Sequence, residues 1–115
     1  MGLKRGGARS DDNPLVVDAI AELKRGRESC VNHAWRDAYD SLSAAGRASP
    51  LAAEDLERLA TSAYMLGCGE EYVALLERAH GAYVDAKDAA GAVRCAIWIG
   101  AHFAQREEIL SLIHI

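Results

Sequence analysis

The sequence predicts an all-α protein: antiparallel helix pairs stacked as a solenoid of about two and a half repeats. Three observations carry this. The stretches RGRESCVNHAWRDAYDSLSAAGRASP and LATSAYMLGCGEEYVALLERAHGAY superimpose when one is slid thirty-four residues along the other, bringing Gly26 onto Ala60, Leu42 onto Leu76 and Ala45 onto Ala79. Small residues at Gly26, Ala60, Ala45 and Ala79 let paired helices approach closely, and Leu42 and Leu76 fill the space between them. Half of the 115 residues are apolar, many of them Ala, with one Phe and two Trp. Ala joins the highest helix propensity to little core volume, which suits packed helices and not a sheet.

The first helix is expected over Pro14–Asn32. Asp12 or Asn13 supplies an N-cap, and Pro14 stands where its missing amide costs nothing. Leu15, Ala19 and Leu23, with Val16 and Ile20 beside them, form an apolar face that continues through Gly26, Cys30 and Val31, and Gly26 is expected to loosen the helix. A turn around His33 leads to a second helix over Trp35–Ala45, with Trp35, Ala38, Tyr39, Leu42 and Ala45 inward. Gly46 is read as a left-handed cap, and Pro50 cannot continue the helix.

A third helix over Ala52–Leu66 carries Leu56, Leu59, Ala60 and Ala63 at helical spacing, and Gly67-Cys68-Gly69 forms a turn. The fourth helix, Glu70–Ala86, turns Tyr72, Leu75, Leu76, Ala79 and Tyr83 inward. Asp88 opens a fifth, Ala89–Gln105, with Val93, Ala96, Ile97, Gly100 and Phe103 on one side. Gly100 is matched to Gly26 and Ala60 as the first helix of a third repeat. The repeat signature is thus Gly26, Trp35, Ala38, Leu42, Ala45, Pro50, Leu59, Ala60, Leu76, Ala79 and Gly100.

Residues 1–13, Gly-rich and polar, are expected to be a disordered lead-in to a helical-repeat domain over 14–109. The formal charge is −4 with no basic stripe, so nucleic acid is not expected to bind through this segment. Cys30, Cys68 and Cys95 are odd in number and set in helical pattern, as expected of reduced thiols in a cytoplasmic protein. No apolar run follows Lys4, Arg5 and Arg9, and no window is long enough to cross a membrane.

No motif carries chemistry. Cys30 and His33 lack the second pair that a zinc site needs, so no metal is expected. Glu77 with His80, and Cys95 with His102, lack an orienting third group. The expectation is no catalytic residue, no cofactor and no enzyme. Of the aromatics, Trp35 and Trp98 follow the apolar periodicity and are read as packing, whereas Tyr64 and Tyr83 are assigned to a partner-binding surface for a protein or peptide. Glu54-Asp55-Glu57-Arg58 and Arg106-Glu107-Glu108 are read as solvated faces.

Thirty-four residues is also the length of a tetratricopeptide unit. The run WRDAYDSLSAA…PLAAEDLERLATSAYMLG…EEYVALLERAHGAYVDAKDAAGAVRCAIWIGAHF, within Arg27–Glu108, resembles the tetratricopeptide region of actinobacterial LuxR-type transcriptional regulators and, less closely, regions attached to nucleotide cyclases. The resemblance implies a protein-interaction or sensory segment of a larger regulator, its DNA-binding helix-turn-helix lying further along. A free-standing scaffold or adaptor and a regulatory segment of an enzyme are the alternatives. Leu110–Ile115, LSLIHI, resembles a translated sequencing adapter and is read as a non-native tail; the other reading makes Ile109, Leu110, Leu112 and Ile113 a natural apolar helix end. With no following helix, the fifth is expected to leave an apolar strip exposed and to promote self-association.

Overall fold

The computed structural model describes residues 14–114, and within them every regular element is an α-helix: α1 (Pro14–Val31), α2 (Trp35–Ala48), α3 (Ala53–Met65), α4 (Gly69–Asp85) and α5 (Ala89–His114). The lead-in expected over residues 1–13, with its Asp12 or Asn13 cap, lies outside the described residues. The chain divides between Leu51 and Ala52 into two compact units. In the first, α1 packs on α2; in the second, α4 packs on both α3 and α5.

Three of the helix connections are the same turn. The middle residue of each three-residue link has positive φ: His33 (60°), Gly67 (84°) and Lys87 (59°). At each, the amide of the left-handed residue donates to the carbonyl three back, as His33 does to Cys30, Gly67 to Tyr64 and Lys87 to Val84, at 3.0–3.1 Å. The next amide donates five back: Ala34 to Ser29 (2.8 Å), Cys68 to Ala63 (2.9 Å) and Asp88 to Tyr83 (2.9 Å). This pair of bonds is the Schellman arrangement, which satisfies the helix's last carbonyls. The residue that closes each turn also opens the next helix, because the carbonyls of Ala34, Cys68 and Asp88 accept from Ala38, Tyr72 and Ala92. Only Asp88 adds a side-chain cap, its Oδ1 accepting from the Gly91 amide at 3.0 Å.

The close approach expected from the thirty-four-residue offset is present in the first unit, and the matching residues of the second are buried. A Cβ on Gly26 would stand 2.7 Å from Leu42 Cγ and 3.1 Å from its backbone nitrogen, so only Gly fits where α2 crosses α1. Ala38 and Leu42 are wholly buried, with Ala45 close behind. In the second unit Ala60, Ala63 and Ala79 are wholly buried with Leu59, Leu75 and Leu76. α5 joins this core through Ala92 and Cys95, and the Tyr83 ring lies directly on Gly91, where any Cβ would collide with it.

Four local expectations are corrected. α1 is continuous through Gly26 rather than loosened there, and on its apolar face Ile20 and Val31 are exposed. Gly46 is no left-handed cap: α2 runs on to Ala48, and Leu51 folds back over the bare Gly46 backbone, which a Cβ would bring to 3.3 Å. α5 does not end at Gln105. No Gly or Pro follows Gly100, so the helix continues to His114 and takes in most of the LSLIHI tail. Gly100, expected at a close approach like Gly26, is exposed, and a Cβ there would meet nothing within 4 Å.

Candidate functional site

Inside the second unit, α3 and α5 stand either side of a groove floored by α4. From α3 come Glu57, Thr61 and Tyr64; from α4, Tyr72 and Leu76; from α5, Trp98, Ala101, His102 and Gln105. Their spacing explains why they converge. Residues 57, 61 and 64, and residues 98, 101, 102 and 105, each follow the three- and four-residue steps that keep side chains on one helix face. They enclose a hollow of about 300 Å³. Past Tyr64 and His102 the groove continues between Gly69, Glu70, Arg106, Ile109 and Leu110.

One wall is a run of rings. Tyr64 and Tyr72 lie 4.9 Å apart between centroids, Tyr72 meets His102 edge-on at 5.6 Å, and His102 meets Phe103 at 5.9 Å. Tyr72 is buried beneath, and that burial, followed by the neighbouring Tyr64, pushes its hydroxyl pKa above the ordinary value. Tyr64 and Trp98, which line the hollow, are half exposed, at 50% and 53%.

Behind the hollow a polar cluster ties the three helices together. The Tyr83 hydroxyl donates to Glu57 Oε1. Arg94 Nε donates to Glu57 Oε2 at 2.9 Å and Arg94 Nη2 to Oε1 at 2.8 Å, a bidentate pairing, and Nη2 also reaches the Tyr83 oxygen at 3.1 Å. The Arg94 guanidinium holds the Glu57 carboxyl below the usual carboxylate range against the opposing effect of burial. Burial, then the Glu57 carboxylate, pushes Tyr83 up to about 12. Burial and the same carboxylate push the Cys95 thiol up to about 11. A thiol so protonated is a core group rather than a nucleophile. Arg94 is held still more firmly in its charged form by Glu57.

This cluster overturns two expectations. Tyr83, assigned to a partner-binding surface, is 1% exposed because its ring fills the space over Gly91 and its hydroxyl is bound inside. The segment Glu54-Asp55-Glu57-Arg58 is not one solvated face. Asp55 is 1% exposed and accepts from Arg58 Nη1 at 2.8 Å, and Glu57 turns toward α4 and α5. Nothing in the local sequence separates these carboxylates from Glu54. The one available signal was position: Asp55 and Glu57 share turns with the core residues Leu56 and Leu59.

The remaining candidates fall as follows. Trp98, read as packing, is half exposed at the groove, whereas Trp35 is partly buried and stacks on His33 at 5.2 Å with an interplanar angle of 16°. Pro50 is exposed just after the α2 cap. Cys30 is half-buried on α1 and Cys68 exposed at a turn, and neither they nor Cys95 form a disulfide. Glu77 and His80 lie on α4 outside the hollow, whereas His102 sits in its wall.

The fold and groove together define a class, an α-helical hairpin domain with a mixed aromatic and polar cleft. Comparison with protein-family models, with curated proteins and with solved structures returned no match for this chain. Among the described residues no helix is long and apolar enough to cross a membrane.

Proposed function

We propose that the chain is a protein-interaction segment whose helix pairs stack as a tetratricopeptide-like solenoid, and that the groove between α3 and α5 receives a peptide from a partner protein. The groove carries the reading: half-exposed Tyr64 and Trp98 flank a hollow of about 300 Å³ that already holds buried Tyr72. Rigid aromatic side chains of this kind anchor peptides at small entropic cost, and cleft lining that is mostly apolar with a few polar groups is typical of binding sites. The thirty-four-residue offset and the common turn at His33 and Gly67 support the repeat assignment.

In the wider reading, resting on the resemblance over Arg27–Glu108, the segment belongs to a LuxR-type transcriptional regulator and acts in the cytoplasm. It has no catalytic centre or cofactor, and DNA is bound by another part of the regulator. The alternatives are a scaffold and a regulatory segment of an enzyme such as a nucleotide cyclase. The gene downstream of Glu108 separates them: a helix-turn-helix is expected, and a catalytic domain there refutes the regulator. For the groove, a random peptide array probed with the chain and with Trp98→Ala should return peptides that bind the first and not the second. Peptides that bind both equally would place binding elsewhere.

The same reading includes self-association through the C-terminal helix α5, where Ile97 and Phe103 are 62% and 46% exposed. Sedimentation should reveal concentration-dependent association that Ile97→Ser with Phe103→Ser removes.

A further inference from the structure

We propose that the hollow takes the cationic head of a basic side chain, so that the partner peptide is recognised through a lysine or arginine; this rests on the groove reading above and names what that groove selects. Four of the residues lining the hollow, Tyr64, Tyr72, Trp98 and His102, carry aromatic rings. Tyr64 and Trp98 are half exposed, Tyr72 lies 4.9 Å from Tyr64 between centroids, and His102 meets Tyr72 edge-on at 5.6 Å. The negative faces of such rings attract ammonium and guanidinium groups, and Trp does so most strongly.

Charge points the same way. Glu57 lines the hollow and is held in its carboxylate form by Arg94. Arg94 pairs with both Glu57 oxygens but lines the neighbouring α5 surface, and among the described residues no Lys or Arg lines the hollow itself. The sequence from Ala52 onward carries ten Asp and Glu against five Lys and Arg. That field draws cations and discourages anions. The long aliphatic stem of a Lys or Arg would lie along Leu76 and Ala101 with its head among the rings, which is how such side chains bury.

The test compares choline with its neutral isostere 3,3-dimethyl-1-butanol. The chain has two Trp, so the two indole N–H signals in a ¹⁵N NMR spectrum separate the hollow, reported by Trp98, from Trp35. Choline should move the Trp98 signal alone, and the alcohol should bind about fivefold more weakly or not at all. Tyr64→Leu keeps apolar volume and removes a π face, so it should weaken choline and spare the alcohol; Thr61→Arg should repel choline only. Both positions are exposed, and circular dichroism checks that the fold is kept. Equal binding of the two probes, no shift with choline, or indifference to Tyr64→Leu overturns the inference. Of the peptides that bind in the array and depend on Trp98, those with a conserved Lys or Arg support it. Trp98-dependent peptides without a basic residue overturn it and leave the groove reading standing.

Discussion

The hairpins α1–α2 and α3–α4 are built alike at their centres and differently at their edges. Both close through the same left-handed turn, at His33 and at Gly67, and both bury a Leu sixteen residues after a small residue, Leu42 after Gly26 and Leu76 after Ala60. Thirty-four residues before Glu57 and Tyr83, however, stand Leu23 and Ser49. The second hairpin's polar cluster therefore has no counterpart in the first. α2 ends at Ala48, whereas α4 runs on past the matching point, carries Tyr83 onto Gly91 and turns into α5. The repeated part is steric and forms the pair. The unrepeated part is electrostatic and joins a third helix to it.

The largest effects should come from the shared steric element. Leu42→Ala and Leu76→Ala should each cost about 2–5 kcal/mol in a denaturant titration. Leu42→Ala should fall at the upper end, because its neighbour Gly26 has no side chain to relax into the space. If Leu42→Ala costs less than an exposed substitution such as Glu54→Ala, the parallel between the hairpins fails.

Next come the groups that have no match in the first hairpin. Tyr83 titrates at about 12 in the folded chain, against 10.0 ordinarily, and Cys95 at about 11, against 9.0. Folded values raised in this way mean that the stabilisation is complete below the unfolded pKa and lost as pH rises through the folded one, here over about pH 9–12. A shift of two units corresponds to about 2–3 kcal/mol for the buried Tyr83. Alkaline unfolding of the second unit should therefore begin within that window, and Tyr83→Phe should blunt it. Glu57 has the opposite sign. Its lowered pKa adds stability above the ordinary carboxylate range that is lost as pH falls through the folded value, and Glu57→Gln should remove that acid limb. Unchanged pH profiles in both variants would show that the cluster does not join α5 to the hairpin.

The Cys residues give a kinetic version of the comparison. Cys68, exposed at a turn, should react first with a thiol reagent, Cys30 after it, and Cys95, wholly buried and held protonated, only when the second unit opens. Native-state labelling of Cys95 at the rate of Cys68 would refute the packing described for α5.

What the sequence disclosed follows the same division. Leu42, Leu76, Gly26 and the five helices were legible because steric packing leaves a periodic trace in residue size. Tyr83 and Glu57 were not, since they meet across twenty-six residues and Arg94 joins them from another helix. Trp98 was misread because α5 is apolar on most of its circumference, so its periodicity picks no face: Val93, Ile97, Trp98 and Phe103 are all about half exposed or more. Gly46 was misread because a Gly near a helix end marks a left-handed cap only if the chain turns there, and the packing of Leu51 against it is a contact that no local signal announces.

The smallest effects, and the sharpest comparison, belong to the turns. All three hold a residue at φ of about 60–84°, yet only one is Gly. Left-handed backbone costs an L-residue on the order of 1 kcal/mol, because Cβ crowds the following carbonyl. A Cβ at Gly67 would meet nothing within 4 Å, so Gly67→Ala isolates the backbone cost and should destabilise by about 1 kcal/mol. Lys87→Gly removes the same strain from an exposed position and should stabilise by somewhat less, since Gly also frees the unfolded chain. His33→Gly relieves strain but loses the stacking on Trp35, so its net change should lie between the other two. If Lys87→Gly destabilises as much as Gly67→Ala, the three turns are alike only in their hydrogen bonds, and Lys87 contributes something that His33 and Gly67 do not.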